Sequence, residues 1–317
     1  MKRLTSVRVG VAFAAAALVF AVGSFTIEGF SSAFSVRAML VLASLLAIAS
    51  LGQTLVMLLG GIDLSIPFLI GFGNVVFAKL YGNGLAAPLA FVLVLLLAAC
   101  IGACSGWMAA TLEIHPLILT LGIGTMVQAG IQLWTGGLTS GSAPDAINEI
   151  VSLGGSVGPL PVPWLVPGTV VLTVVVIFAL ARTIFGRRLY ALGSNPVAAR
   201  LALVQPVAMW SATFALSAVF AALAGILLLG FTGSSDAGVG TPYLFQTVAA
   251  VVIGGTALIG GRGGFLGTLA GAIVLIQLRT LLIGFGLSEA LVQTATGALI
   301  LLLVAAYGRE APLRNSI

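Results

Sequence analysis

The amino-acid sequence predicts an all-α membrane protein, a polytopic bundle of about ten transmembrane helices with broken helices and a short cytoplasmic helix. Thirteen basic and eight acidic residues are spread over 317 positions, and 60% of the residues are hydrophobic. Uncharged runs cover residues 80–112, 116–144 and 207–235. Because roughly 18 apolar residues suffice to cross a hydrocarbon core about 30 Å thick, such runs indicate membrane spans rather than the core of a soluble protein.

Ten apolar stretches follow one another along the chain, and the polar sequence between them is too short to form a soluble domain. We therefore expect a single transmembrane domain over residues 1–317. In chain order, the predicted spans lie near residues 9–28, 37–60, 64–82, 86–112, 116–135, 164–182, 207–231, 243–260, 263–284 and 288–307.

Turn and charge signals separate these spans from one another. The first span follows basic residues, as in a secretory signal peptide, but its apolar run is longer than a usual signal sequence, which favours an uncleaved helix. A break over residues 60–67 separates the second span from the third. Longer polar segments at 135–163 and 183–206 flank the sixth span, and a tight basic hairpin at 260–264 follows the eighth.

The distribution of basic residues predicts the orientation of the chain. With the N-terminus in the cytoplasm, ten of the thirteen basic residues lie on the cytoplasmic side, as the positive-inside rule requires, and the C-terminus is cytoplasmic as well. These ten are Lys2, Arg3, Arg8, Arg182, Arg187, Arg188, Arg200, Arg262, Arg309 and Arg314. They are scattered among short loops instead of forming one stripe, so the lipid bilayer and not a nucleic acid is the expected partner.

The cytoplasmic segment 183–206 carries the signals of a short helix. Ser194 or Asn195 can cap a helix N-terminus and Pro196 suits its first position, which predicts a helix over about 196–203. A helix this short needs a partner to be stable. It either lies in a groove of a soluble protein or rests on the membrane surface. On the other side of the membrane, segment 135–163 is either a lid or docking loop or a plain connector.

The break at 60–67 combines two glycines, a carboxylate and a proline within an apolar stretch. Main-chain groups freed by such a break are tolerated at membrane depth only where protein or a water-filled cavity satisfies them, so Asp63 indicates a functional interior. Asp63 either caps the next helix from the water interface near Ile66 or contacts a substrate, and both roles are compatible.

Several uncharged hydrogen-bonding side chains lie within or near the predicted spans and would suit a neutral, hydroxyl-rich solute, with a tryptophan against its apolar face. For any one of them, hydrogen bonding between helices is the alternative role. The candidate substrate-pathway residues are Gln53, Asp63, Asn74, Gln128, Trp134 and Gln246.

The sequence offers no catalytic or metal-binding constellation. Neither lysine, at positions 2 and 79, is followed by serine or threonine, so the chain has no phosphate-binding P-loop. A single histidine, His115, leaves no histidine-rich metal site. Cys100 and Cys104 share one helix face and have no third cysteine to complete a thiolate site. We expect no cofactor on this chain and no enzyme activity of its own.

Five stretches together resemble the ribose-type permease family of bacterial ABC importers, the transmembrane subunits for sugars and related small solutes. The resemblance covers nearly the whole chain, and the stretch at 249–263, Ala-Ala-Val-Val-Ile-Gly-Gly-Thr-Ala-Leu-Ile-Gly-Gly-Arg-Gly, is its most specific part. The other stretches are Gly-Gly-Ile-Asp-Leu-Ser at 60–65, Leu-Thr-Leu-Gly at 119–122, segment 185–201, and Ala-Leu-Ala-Gly-Ile-Leu at 222–227. The chain departs from the family pattern at 66–68, where Ile-Pro-Phe replaces a small or glycine-containing sequence, so ribose is not assumed as the solute.

The resemblance implies a bacterial inner-membrane assembly of two permease subunits, two cytoplasmic ABC ATPases that use ATP and Mg, and an extracytoplasmic solute-binding protein. It also implies that segment 183–206 holds the cytoplasmic coupling helix, which receives motion from the ATPase. The residues that match the family there are Gly193, Asn195, Pro196, Ala199 and Arg200. The predicted solute is a neutral sugar or a similar polar molecule. The alternatives are a permease for nucleosides or branched-chain amino acids, and a channel or carrier that works without an ATPase.

Overall fold

A computed structural model describes residues 2–159 and 161–307 of the chain. Within these residues the regular structure consists of thirteen α-helices and no strand. In chain order they are α1 (Lys2–Thr26), α2 (Ala33–Leu58), α3 (Ile66–Gly82), α4 (Ala87–Thr111), α5 (Pro116–Thr135), α6 (Asp145–Val151), α7 (Leu165–Arg182), α8 (Ile184–Ser194), α9 (Pro196–Leu201), α10 (Pro206–Thr232), α11 (Tyr243–Ile253), α12 (Phe265–Gly284) and α13 (Glu289–Tyr307).

The predicted all-α architecture is confirmed, and each of the ten predicted spans corresponds to one helix. These helices are α1 to α5, α7 and α10 to α13. Among the described residues, seven helices have the length and apolar composition needed to cross a membrane. They are α1 from Val7, α2, α4, α5, α7, α10 and α12. The remaining three helices, α6, α8 and α9, lie in the two long polar segments.

Helix α11 is much shorter than its predicted span, which extended to residue 260. It ends at Ile253 and comprises 11 residues, which rise about 16 Å and cross only half of a hydrocarbon core. Gly255 ends it with a left-handed φ of +83°, and a Cβ at the preceding Gly254 would collide with the backbone of Gly267 in α12. A broken helix, expected at 60–67, therefore occurs at this second position too.

Helix α10 lies at the centre of the bundle, against α2, α3 and α4. Small residues permit this close approach. Gly102 and Gly106 of α4 face the main-chain oxygens of Phe214 and Trp210 in α10, and Gly73 of α3 faces α10 in the same way. A side chain at any of these three glycines would push α10 away from its neighbours. The central packing is thus fixed by contacts between backbones.

The helices around this centre leave wide apolar faces uncovered. In α4, α5 and α7 less than a third of the apolar span is buried, whereas most of the span is buried in α2 and α10. The exposed residues include Leu96 of α4, Met126 of α5 and Phe178 of α7. Faces of this kind suit contact with lipid or with a further subunit.

The outer polar segment is partly ordered by packing on the bundle. Helix α6 lies against α10, where Gly230 faces the main chain and side chain of Ile147. Arg37 of α2 donates a hydrogen bond from Nη1 to the carbonyl oxygen of Leu153, at 3.3 Å. Arg309, Arg314 and the side chains of Lys2 and Arg3, which the predicted orientation also used, lie outside the described part of the structure.

Candidate functional site

The break between α2 and α3 begins with a glycine turn that ends α2. The N–H of Gly61 donates to the carbonyl oxygen of Val56 at 3.1 Å, and the N–H of Gly60 donates to that of Met57 at 2.9 Å. This pair of bonds is the Schellman arrangement, which requires a left-handed residue, and Gly60 supplies it with a φ of +88°. Pro67 lies in the first turn of α3, where its missing N–H costs nothing.

Asp63 connects this break to the central helix. Its Oδ1 accepts hydrogen bonds from the main-chain N–H of Ser65, at 2.9 Å, and from the Ser65 hydroxyl, while its Oδ2 accepts from the Ser217 hydroxyl of α10, at 2.7 Å. Only 2% of Asp63 is exposed, so Asp63 lies in the interior, as predicted, and not at the water interface that the capping alternative assumed. The predicted cap of α3 also differs, because the carboxylate bonds to Ser65 itself and not to the N–H groups around Ile66.

Two further side chains hold the break in place. The Oε1 of Gln53 accepts from the N–H of Asp63 at 3.3 Å, and the hydroxyl of Thr120 in α5 accepts from the N–H of Leu64 at 2.9 Å. The structure therefore brings together two of the predicted pathway residues, Gln53 and Asp63, within a polar cluster that is closed off from solvent. The N–H groups of Asp63, Leu64 and Ser65, which the break frees, are thus satisfied by protein side chains, as membrane depth requires.

Asn74 is buried elsewhere and makes two hydrogen bonds through its amide. Its Nδ2 donates to the carbonyl oxygen of Gly225 in α10 at 3.2 Å, and its Oδ1 accepts from the N–H of Asp236 at 2.9 Å. It thus joins α3, α10 and the segment after α10. This arrangement agrees with the alternative role considered for each amide, that of connecting helices.

The other three predicted pathway residues are more accessible. Gln128 on α5 and Gln246 on α11 are half-buried and make no hydrogen bond among the described residues. Trp134 is 48% exposed, and its ring lies under the ammonium group of Lys79, 4.7 Å from the ring centroid. The Lys79 ammonium also donates to the Trp134 carbonyl oxygen at 3.1 Å.

Helix α5 carries polar side chains on the face that the described part of the chain does not cover. Its mean hydropathy of 1.4 is the lowest among the seven candidate spans. Thr125 and Gln132 are exposed, and Gln128 lies beside them at helical spacing. Amides that face hydrocarbon are costly, so this face is expected to meet another protein surface or a water-filled path.

At the other end of the break, four glycines from three segments form a contact that we name the glycine junction: Gly60, Gly193, Gly260 and Gly261. The N–H of Gly261 donates to the carbonyl oxygen of Leu58, at 2.9 Å. A Cβ at Gly193 would collide with that same oxygen and with the nitrogen of Gly261. A Cβ at Gly260 would collide with the nitrogen of Gly60.

The glycine junction joins helix α8 to both broken helices of the bundle. Tyr190 of α8 strengthens the contact, because its hydroxyl donates to the carbonyl oxygen of Gly263 at 2.8 Å. Burial raises the pKa of the Tyr190 hydroxyl, which keeps it protonated as a donor. Helix α8 is therefore in direct contact with the chain that leads into Asp63.

Helix α9 follows α8. It is the short helix that the sequence predicted, although it ends at Leu201 instead of residue 203. Asn195 caps it, because its Oδ1 accepts from the N–H groups of Val197 and Ala198, both at 3.1 Å. Ala199 is buried against the bundle, whereas Val197 and Leu201 are 64% and 82% exposed. Pro196 and Arg200 are exposed as well. The helix thus presents an apolar face that no described part of the chain covers.

Sequence reasoning missed Ser217, Thr120 and Tyr190, whose partners are far away in the chain. Ser217 lies within an unbroken apolar helix and carries no local signal of its contact with Asp63. The one sequence feature that could have indicated this contact is the position of Ser217 within a stretch of small residues in α10.

These features define a multi-pass helical membrane protein with broken helices, a polar open face on α5 and an uncovered short helix joined to the breaks. The family described as "Branched-chain amino acid transport system / permease component" matches residues 35–304, and the chain belongs to this family of permeases.

Individual relatives are import-system permeases. The chain is 34% identical over 241 residues to the autoinducer 2 import system permease protein LsrC of Escherichia coli K12, which covers 76% of this chain and 69% of LsrC. It is 32% identical over 267 residues to the ribose import permease protein RbsC of Haemophilus influenzae, covering 83% of this chain and 81% of that protein. It is 33% identical over 258 residues to RbsC of Escherichia coli, covering 81% and 80%. No solved structure matches the chain.

Proposed function

We propose that this permease is the transmembrane subunit of an ATP-driven importer that carries a neutral sugar or a related small polar solute across the bacterial inner membrane. The relatives named for ribose and autoinducer 2 support this class of solute. Because the sequence contains no P-loop, the ATPase is a separate cytoplasmic subunit that binds ATP and Mg, and an extracytoplasmic solute-binding protein delivers the solute. Both termini are on the cytoplasmic side, in keeping with the positive-inside rule.

The observation that carries this proposal is the uncovered apolar face of α9 above the glycine junction. Val197 and Leu201 provide a surface for a groove of the ATPase, and Gly193 connects α8 directly to Leu58 and Gly261. ATP binding and hydrolysis then bias the permease between outward-open and inward-open states by moving α8 and α9. Gly193, Asn195, Pro196, Ala199 and Arg200 are the proposed coupling residues.

The solute path is proposed to lie along α5, between two permease subunits. Gln128 supplies an amide that both donates and accepts, which suits sugar hydroxyls, and its exposed neighbours Thr125 and Gln132 extend the polar face. Gln246 and Trp134 are further candidates for solute contact. Asp63, Gln53 and Asn74 are assigned instead to holding the broken helices, since their oxygens are occupied by protein donors.

The coupling proposal is tested with the purified chain, its ATPase and its binding protein in liposomes. Val197→Glu places a carboxylate on the uncovered face of α9, and we expect it to abolish ATPase binding and ATP-dependent uptake. Ile184→Glu is the matched control, because Ile184 is also exposed and apolar but lies outside α9 and the glycine junction. Normal ATPase binding and uptake by Val197→Glu would disprove the proposed docking face.

A second candidate solute is a branched-chain amino acid, which the family description names. A zwitterion would need charged partners along the path, and the open face of α5 offers amides and hydroxyls only. Competition of uptake by ribose, a nucleoside and leucine separates the three solute classes. Uphill accumulation by liposomes that contain this chain alone would indicate a carrier and would exclude the ATP-driven mechanism.

A further inference from the structure

We propose that a cavity between the end of α7 and helix α8 binds the phosphate headgroup of an anionic phospholipid. The cavity has a volume of about 800 Å³ and is lined by Leu180, Ala181, Arg182, Arg187 and Tyr190. Two of these five residues carry a permanent positive charge, and the remaining three provide an apolar rim and an aromatic wall.

One hydrogen bond links the two arginines. Arg187 donates from Nη1 to the carbonyl oxygen of Arg182, at 2.9 Å, which fixes its side chain at the C-terminus of α7. No carboxylate pairs with either arginine within residues 2–159 and 161–307. The other guanidinium N–H groups make no hydrogen bond to the described part of the chain, and such groups match the paired oxygens of a phosphate. The hydroxyl of Tyr190 already donates to the carbonyl oxygen of Gly263, so Tyr190 contributes only its ring to the wall of the cavity.

The position of the cavity relative to the apolar surface identifies a lipid as the occupant. Val171, Val174 and Phe178 form an exposed stripe along one face of α7. Arg182 continues this stripe at helical spacing, one turn beyond Phe178. An acyl chain that follows the valines would place its headgroup at the arginines. A free anion or a soluble protein would leave the stripe unused.

Charge on this side of the membrane favours the same occupant. The cavity lies beside α8 and α9, on the side proposed above to be cytoplasmic, where anionic lipids attract basic segments close to the membrane surface. Arg188 is also exposed there but does not line the cavity. This difference between adjacent arginines separates a built site from diffuse attraction to a charged surface.

The test uses the purified full chain in detergent, with its unfolding midpoint followed as dioleoylphosphatidylglycerol is added. We expect a saturating rise in the midpoint that dioleoylphosphatidylcholine does not produce. Arg182→Gln and Arg187→Gln should each raise the half-saturating lipid concentration about fivefold, from the loss of one basic residue near the surface. Arg188→Gln is the matched control, and it should leave that concentration unchanged.

Three results would overturn the proposal. An equal loss in Arg188→Gln would show that general surface charge attracts the lipid. An equal stabilisation by inorganic phosphate would identify a site for free anions. Unchanged lipid binding in both cavity variants, with weakened binding of the ATPase subunit, would assign the cavity to the protein partner. If Arg187→Gln does not fold, Arg187→Lys keeps the charge but loses the forked donor, and it should weaken lipid binding less than Arg182→Gln does.

Discussion

Gly193→Ala tests the glycine junction with a single methyl group. Gly193 lies inside helix α8 and has ordinary helical geometry, so alanine is allowed by the backbone and gains about 1 kcal/mol in helix propensity. Against this gain, the new Cβ would collide with the Leu58 oxygen and the Gly261 nitrogen, which are hydrogen-bonded to each other. Overpacking costs about 1–3 kcal/mol and a lost hydrogen bond costs about 1 kcal/mol. The net expectation is a destabilisation of roughly 1–3 kcal/mol.

The measurement compares Gly193→Ala with Gly168→Ala. Gly168 lies in α7, and a Cβ there would meet nothing within 4 Å, so this control gains the same helix propensity without a collision. Unfolding in mixed detergent micelles gives the free energy of each variant. ATPase activity and solute uptake, measured together in liposomes, give the coupling. We expect Gly193→Ala to hydrolyse ATP with reduced uptake per ATP, because α8 is displaced from the break that holds Asp63. Equal stability and equal uptake per ATP in the two variants would refute the proposed contact.

Substitutions at four other residues separate structural contacts from solute contacts. Ser217→Ala should cost about 1.5–3 kcal/mol of unfolding free energy, because it removes a hydrogen-bond donor to the buried carboxylate of Asp63. Wild-type stability of this variant would contradict the contribution of that hydrogen bond. Asn195→Ala should cost about 1 kcal/mol of unfolding free energy through loss of the cap of α9, and it should weaken ATPase binding. Asn195→Asp should retain both the stability and the ATPase binding. Equal ATPase affinity in the two variants would count against the cap's role. Gln128→Leu should raise the KM for uptake at unchanged stability, whereas Asn74→Leu should lower stability. A destabilised Gln128→Leu variant with a normal KM would show that Gln128 holds the structure and does not contact the solute.

The sequence was sufficient to predict the ten apolar helices because apolar length is a local property, but it did not predict α6 and α8, which lie in the polar segments. All ten spans were found, and the cap of α9 was found because Asn195 and Pro196 are adjacent in the chain. The early end of α11 was not found. Gly254 and Gly255 indicate a turn by themselves, but a glycine pair can also lie within a continuous helix, and the left-handed φ of Gly255 that ends α11 is not specified by the residue type.

The contacts of the site were harder to predict than its location. The break at 60–67 was correctly placed in the protein interior, since a carboxylate among apolar residues must be satisfied there. Its partner Ser217 is 154 positions away, and serine in an apolar helix more often bonds to its own backbone. The roles of Gln128, Trp134 and Gln246 in solute contact stay predictions.

The location of Asp63 explains why a buried carboxylate can be useful in a permease without contacting the solute. No cation among the described residues pairs with this carboxylate, which accepts hydrogen bonds from Ser65 and Ser217. Such bonds lose strength steeply with distance and angle, so the free energy of the break depends on the position of α10 relative to the α2–α3 connection. Gly60 and Leu58 place the same connection in contact with α8. The position of α8 and the stability of the buried carboxylate are therefore linked through a few residues, which is the property that a switch between two conformations requires.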